Sequence, residues 1–221
     1  NTVSIGDINA LDNIPQLTVS AWVKQNTLGA TITRNVLAKY SSGSGGWKMT
    51  ALGGAGGNDV NVALSFADHG TADDILRAGV WEYWVMVFDG TQTGDANRAK
   101  FYFNGVQQPL TFAGSMPATT PDTANRLCIA AQENNAGDGC GTGTVAFWNG
   151  SIDEVSIWNR SLSANEIRNL YLRGAYRLNV SARACDDSAC AGETYTNIQP
   201  NNITAGFTIP LNLTTTNRYF Q

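Results

Sequence analysis

The chain has 221 residues, a formal net charge of −4 and only 14% charged residues, while 43% are hydrophobic, an ordinary globular share. That length suits one large domain with a proper core, or such a domain plus a small appendage. The chain lacks a basic stripe to neutralise phosphates, which argues against nucleic acid as a partner. It also lacks any apolar run approaching the roughly 18 residues of a spanning helix, which argues against membrane insertion.

The chain opens inside a strand-like run, "NTVSIGD", so its start reads as processed or trimmed. The "GDINALDN" loop comes next, and then "QLTVSAWVK" alternates. Leu17, Val19, Ala21 and Val23 share one face, and Thr18, Ser20, Trp22 and Lys24 the other. "NVLAKY", "GWKMTAL", "VNVALSF", "EYWVMVFD", "AKFYFNGVQ", "RLCIAA", "TVAFWNG" and "SIDEVSIW" continue as strands, with "SSGSGG" and "GGAGGN" as loops between them. Asn104-Gly105 supplies the positive φ angles of a type I′ hairpin, and Asn149-Gly150 repeats the device. Around ten short strands predict an all-β, two-sheet antiparallel sandwich. Leu17, Val19, Val23, Val85, Val87, Val155 and Ile157 are expected to be buried in it.

One short helix follows, from Ser163 to Tyr171. Ser163 with Glu166 makes a capping box, Ile167, Leu170 and Tyr171 make an apolar face, and Gly174 is expected to end it. So short a helix must dock on the sandwich. The pattern then changes. Residues 174–221 carry strand-like runs at Tyr176–Ala184 and Phe207–Leu213 but too little apolar surface for a core of their own. They read as a partial β-module or strand extension, in which Tyr219–Gln221 begins another strand open to completion by strand addition from a partner.

The four cysteines fall into two local pairs, favouring disulfides Cys128–Cys140 and Cys185–Cys190 over four reduced thiols or a zinc site. N-x-S/T sequons stand at Asn149, Asn159, Asn179, Asn202 and Asn212. Together with paired cysteines and a polar, weakly charged surface they point to an extracellular or cell-surface glycoprotein.

"LTVSAWVK", "NVLAKY…GWKM", "WEYWVMVFDG", "FYFNGV" and "GSIDEVSIWNRSLSANEIRNLY", in that order, resemble the laminin-G-like (concanavalin A-like) jelly roll over residues 1–173. The pentraxins end similarly. The resemblance implies two curved antiparallel sheets, a final core strand bearing Asp153, and a helix packed after it. Residues 176–221 resemble, more weakly, a β-module beside such domains in microbial and especially archaeal surface proteins, on "SARACDDSAC" and "NRYFQ".

In this fold group the Asp of the last strand often holds a structural calcium with oxygens of the N-terminal loop, here Gly6–Asn13 with Asp7 or Asp12. The alternative is that Asp153 and Glu154 bond loop amides or pair with Arg160 or Arg168. A second acidic stretch, Glu133, Asn135 and Asp138, loosely matches the pentraxin calcium-dependent ligand site, and is otherwise a solvated polar loop. His69 with its neighbouring acids reads as a solvated loop.

Catalysis is not expected. Hydrolases of this fold need two facing carboxylates, whereas Asp153 and Glu154 are adjacent and point to opposite faces. The expected function is a non-catalytic module that binds glycans or glycoproteins, with Trp47, Trp81 and Tyr83 as candidate stacking platforms or else core residues. The alternative is a structural subunit or stalk of a glycosylated filament or surface layer.

Overall fold

The computed structural model describes residues 2–28, 33–52, 58–65, 69–134, 139–141 and 147–175, and short strand segments at 180–182, 184–185, 196–198 and 219–220. The alternating runs become β1 (Val3–Asp7), β2 (Gln16–Gln25), β3 (Arg34–Ser41), β4 (Gly45–Leu52), β5 (Asp59–Ala63), β6 (His69–Ala72), β7 (Trp81–Asp89), β8 (Ala99–Phe103), β9 (Val106–Gln108), β10 (Thr111–Ala113), β11 (Arg126–Ile129) and β12 (Gly150–Trp158). Two helices accompany them, α1 (Asp95–Arg98) and α2 (Ala164–Ala175). The strands form a seven-stranded sheet, β1-β11-β3-β4-β5-β6-β10, and a five-stranded sheet, β12-β2-β7-β8-β9. The pairings within both are antiparallel, as in a jelly-roll sandwich.

The chain divides into two compact units, Asn1–Leu172 and Arg173–Gln221. In the second, β13 (Val180–Ala182) pairs with β15 (Thr196–Ile198), and β14 (Ala184–Cys185) with β16 (Tyr219–Phe220). The expected strand at Phe207–Leu213 lies outside the described residues.

Side-chain alternation sorts the first unit into two apolar layers. Leu17, Val19, Val23, Trp84, Met86 and Phe88 of the five-stranded sheet meet Leu37, Trp47, Met49, Val60, Val62 and Leu127 of the seven-stranded sheet. Val155 and Ile157 are only partly buried at the margin of this core. Val85 and Val87 are buried, but on the opposite face of their sheet, with Trp22, Tyr83 and Tyr102 under Leu162 and Ile167. That second layer is the docking site of α2. Tyr171 stacks on Trp22 with ring centroids 5.7 Å apart.

The capping box forms as its spacing requires. Ser163 Oγ accepts the Glu166 N–H at 3.3 Å, and the Glu166 carboxylate accepts the Ser163 N–H at 2.8 Å. Arg160 donates to the same carboxylate, and with the Ser163 bonds it holds Glu166 down at about 2. Gly174 does not end the helix, which continues to Ala175. Ser163→Ala is expected to lower stability by about 1 kcal/mol, read by urea unfolding, because the Glu166 amide loses its acceptor.

Asn104 and Gly105 take φ of 50° and 78° and turn β8 into β9, the expected hairpin. Asn149-Gly150 does not repeat it. The strand it begins pairs with β2, and a Cβ at Gly150 would lie 1.9 Å from the Lys24 carbonyl oxygen. The glycine there serves close approach between strands.

Cys128 and Cys140 form the expected disulfide, with Cα atoms 5.6 Å apart. Its reduction is expected to lower stability by about 2–3 kcal/mol, read as a drop in melting temperature with and without reductant. For the other pair, Cys190 lies outside the described residues.

Candidate functional site

The N-terminal loop does gather oxygens around a cation, but the cation belongs to the protein. Lys39 projects inward from β3, level with Trp47 and Leu127 on the neighbouring strands, and is fully buried. Its Nζ lies 2.9 Å from Asp7 Oδ1 and 2.8 Å from Asp12 Oδ1, and donates to the Thr123 carbonyl at 2.5 Å. The ammonium thereby ties β1 and the short 3₁₀ turn after it to the end of the core.

Asp153 is elsewhere. It sits opposite Trp22, on the outer face of the five-stranded sheet, and is exposed. Its Oδ1 accepts the Glu154 N–H at 2.8 Å, where a bulge between Asp153 and Ser156 puts Glu154 at φ 48°. The expected set of Asp7, Asp12 and Asp153 therefore does not assemble. The acid of the last strand supports a bulge, and the two loop acids neutralise a lysine. Among the described residues no three acids, histidines or cysteines converge as metal ligands.

Of the second acidic stretch, Glu133 is turned inward. It accepts the Arg126 amide and pairs with the Arg126 guanidinium, so its carboxylate is not offered to a ligand. Asn135 and Asp138 lie outside the described residues.

The three aromatic candidates part company. Trp47 is 0% exposed in the inter-sheet core, which excludes it from stacking on a ligand. Tyr83 is 3% exposed under α2, with its ring 5.2 Å from Trp22 and 6.5 Å from Tyr171. Trp81, at the start of β7, is 41% exposed and remains accessible. Among the sequons, Asn149 and Asn159 are exposed, whereas Asn179, Asn202 and Asn212 lie outside the described residues. Asn149 Nδ2 already donates to Thr27 Oγ1 at 3.1 Å.

Sequence reasoning missed the polar outer face of the seven-stranded sheet. Strand register builds it in two rows. His69, Ala63, Lys48, Ala38 and Cys128 lie side by side on β6, β5, β4, β3 and β11. Thr111, Thr71, Asn61, Thr50 and Asn35 lie in the next row. Their neighbours along the strands, Met49, Val60 and Val62, face the core. His69 is thus a strand residue, not the loop residue expected.

Hydrogen bonds order the face. Asn61 Nδ2 donates to Thr71 Oγ1 at 3.3 Å, and Thr50 Oγ1 to the Arg34 carbonyl at 2.9 Å. At one margin, Asn35 Nδ2 donates to Gln132 Oε1 at 3.1 Å, and Gln132 Nε2 to Ser42 Oγ at 2.9 Å. The segment after β11 therefore runs along β3, clipped by the Cys128–Cys140 disulfide, and bounds the face on that side. Lys48 Nζ stands 4.0 Å from the centroid of the Tyr40 ring. Burial pulls the Lys48 ammonium down to about 8 and pushes the Tyr40 hydroxyl up. The signal that would have found this surface is the off-beat of the strand pattern, Lys48 and Thr50 between Trp47, Met49 and Ala51, and Asn61 between Val60 and Val62.

Residues 1–168 match the family model described as concanavalin A-like lectin/glucanases superfamily. The chain belongs to this superfamily. Solved structures share the lectin/glucanase fold at low identity. The CBM40 module of the Ruminococcus gnavus IT-sialidase is 14% identical, with 77% of this chain and 96% of that one covered and a TM-score of 0.55. Domain 4 of AbnA, an extracellular arabinanase of Geobacillus stearothermophilus, solved with arabinotriose, is 19% identical over 77% and 72%, with a TM-score of 0.51. The SAP-like pentraxin of Limulus polyphemus is 12% identical over 90% and 85%, also with a TM-score of 0.51. No curated protein matches the chain in sequence.

Proposed function

We propose that the Asn1–Leu172 unit is a non-catalytic glycan-binding module working outside the cell, and that the outer face of its seven-stranded sheet receives the glycan. The observation that carries this reading is the row Thr111, Thr71 and Asn61 across adjacent strands, exposed at Thr111, half-buried at Thr71 and 5% exposed at Asn61, with Thr50 wholly buried beneath it. Hydroxyls and amides of this kind both donate and accept, which is what sugar hydroxyls require. The carbohydrate-binding module of Ruminococcus gnavus, solved with sialyllactose, and the arabinotriose-bound Geobacillus domain support it by likeness of fold. The Cys128–Cys140 disulfide suits an oxidising, extracellular setting.

Four acids among the described residues are committed to structure rather than to catalysis. Glu82 and Glu133 are buried and hydrogen-bonded, Glu166 caps α2, and Asp153 supports its bulge. A glycosidase needs two free carboxylates that face each other, and these four are engaged elsewhere.

A glycan array tests the proposal, read with the wild type and with Asn61→Val/Thr71→Val. The double change removes both partners of one hydrogen bond, so it should leave folding nearly unchanged and weaken glycan binding by about tenfold or more. Undiminished binding by the variant would place the glycan elsewhere, with exposed Trp81 the first alternative.

The strand-addition reading keeps one supporting observation. Tyr219–Phe220, expected to seek a partner, pairs with Ala184–Cys185 of the same chain. The edge strand β1, however, exposes Val3 and Ile5. A concentration-dependent oligomer in light scattering, abolished by Val3→Lys/Ile5→Lys, is the outcome this second reading expects.

A further inference from the structure

Lys48 is a cation without an evident structural task. Among the described residues of the first unit, three basic side chains have a carboxylate partner, Lys39 with Asp7 and Asp12, Arg126 with Glu133, and Arg160 with Glu166. Among the described residues Lys48 has no ion-pair partner, and its ammonium lies over the face of the Tyr40 ring. It is half-buried, and burial disfavours its charge.

The surroundings are arranged for an incoming group. The residues level with Lys48 on either side are Ala38 and Ala63, which carry only a methyl group and so neither shield the ammonium nor supply it with oxygen. Beyond Ala63 stands His69, a second nitrogen base in the same row. The hydroxyl and amide row lies two residues along the strands, about 7 Å away, so one sugar residue can meet both rows. An aromatic face beneath the ammonium holds it by cation–π attraction while leaving its N–H donors free for an anion.

We infer that Lys48 makes this face selective for acidic saccharides, its ammonium pairing with the carboxylate or sulfate of a sugar whose hydroxyls meet Asn61 and Thr71. The inference rests on the glycan-binding reading above. A desolvated charge pair of this kind contributes more than a surface one, and it sets specificity against neutral sugars, which leave the lysine unpaired.

The test uses the full chain on an array carrying neutral, uronate, sialylated and sulfated glycans, read with wild type, Lys48→Met and Lys48→Arg. The wild type is expected to prefer acidic glycans. Lys48→Met should lose about tenfold or more of that binding at an unchanged or higher melting temperature, and Lys48→Arg should keep most of it. The uronate and sulfate panels tell which anion is taken. A salt titration of the wild type is a measurement independent of the variants: binding of the acidic glycans should weaken as ionic strength rises. Equal binding of neutral and acidic glycans, or acidic binding that ignores both Lys48→Met and salt, would overturn the role of Lys48 while leaving glycan binding in place. Failure to bind any glycan would overturn both.

Discussion

Replacing Lys39 with methionine is expected to destabilise the first unit by about 3–5 kcal/mol, the usual consequence of removing one partner from a buried ion pair. For a unit of this size that corresponds to roughly 10 °C or more in melting temperature. Asp12, almost as buried as Lys39, would be left with its charge and without its cation. Asp7 is about a third exposed and would lose less. Adding Asp12→Asn to Lys39→Met should therefore recover part of the loss, giving a favourable coupling of about 1 kcal/mol or more in a double-mutant cycle. The same geometry predicts that EDTA leaves the melting temperature unchanged, because the lysine stands where the expected loop metal would have stood. A Lys39→Met variant as stable as the wild type, or a wild type that EDTA destabilises, would contradict this account.

Glu82 is expected to make stability depend on pH. It lies opposite Val23 on the inward side of β7 and is 2% exposed. Its carboxyl accepts the Arg77 amide at 2.9 Å and the Trp84 indole N–H at 3.3 Å. Burial pushes it up from 4.5 to about 7, against the smaller opposing effects of those two bonds and of the Arg77 charge. A folded-state value above the unfolded one means that the proton binds more tightly to the folded protein. The contribution is therefore fully present below pH 4.5 and is lost as pH rises through about 7. Its full extent is roughly 3 kcal/mol. Glu82→Gln keeps the shape and cannot ionise. Relative to the wild type it should gain stability progressively between pH 5 and pH 8, by roughly 2–3 kcal/mol, read from urea unfolding at each pH. Parallel pH profiles for the two proteins would show that Glu82 titrates normally.

What could be read in the sequence was what local chemistry decides. The capping box at Ser163 and Glu166 depends only on neighbours within one turn, and it forms. The Asn104-Gly105 hairpin likewise needs only two residues able to take positive φ. Asn149-Gly150 carries the same letters, yet its strand pairs with β2, because long-range register overrode a local preference. β6 escaped notice because "HGTA" has little β-branched or aromatic character, and it is held by pairing with β5 and β10 on either side.

The candidate site was less legible, for a physical reason. A strand pattern says which residues share a face but not which face is covered. Val85 and Val87 sit off the beat of Trp84, Met86 and Phe88, yet all five are buried, since α2 covers the second face. Lys39 has the same parity as Leu37 and points inward, where a lysine is expected only with buried acids beside it, and those come from the distant N-terminal loop. Trp47 and Trp81 look alike in sequence, but one is in the core and the other is at the mouth of a strand.

The location of the glycan is tested most directly by amide chemical shifts of the isotope-labelled chain, titrated with the glycan bound best on the array. The account predicts that the largest shifts fall on Lys48, Asn61, Thr71 and Tyr40, on the outer face of the seven-stranded sheet, with Trp81 unaffected. Shifts centred on Trp81, with Asn61 and Thr71 silent, would contradict it.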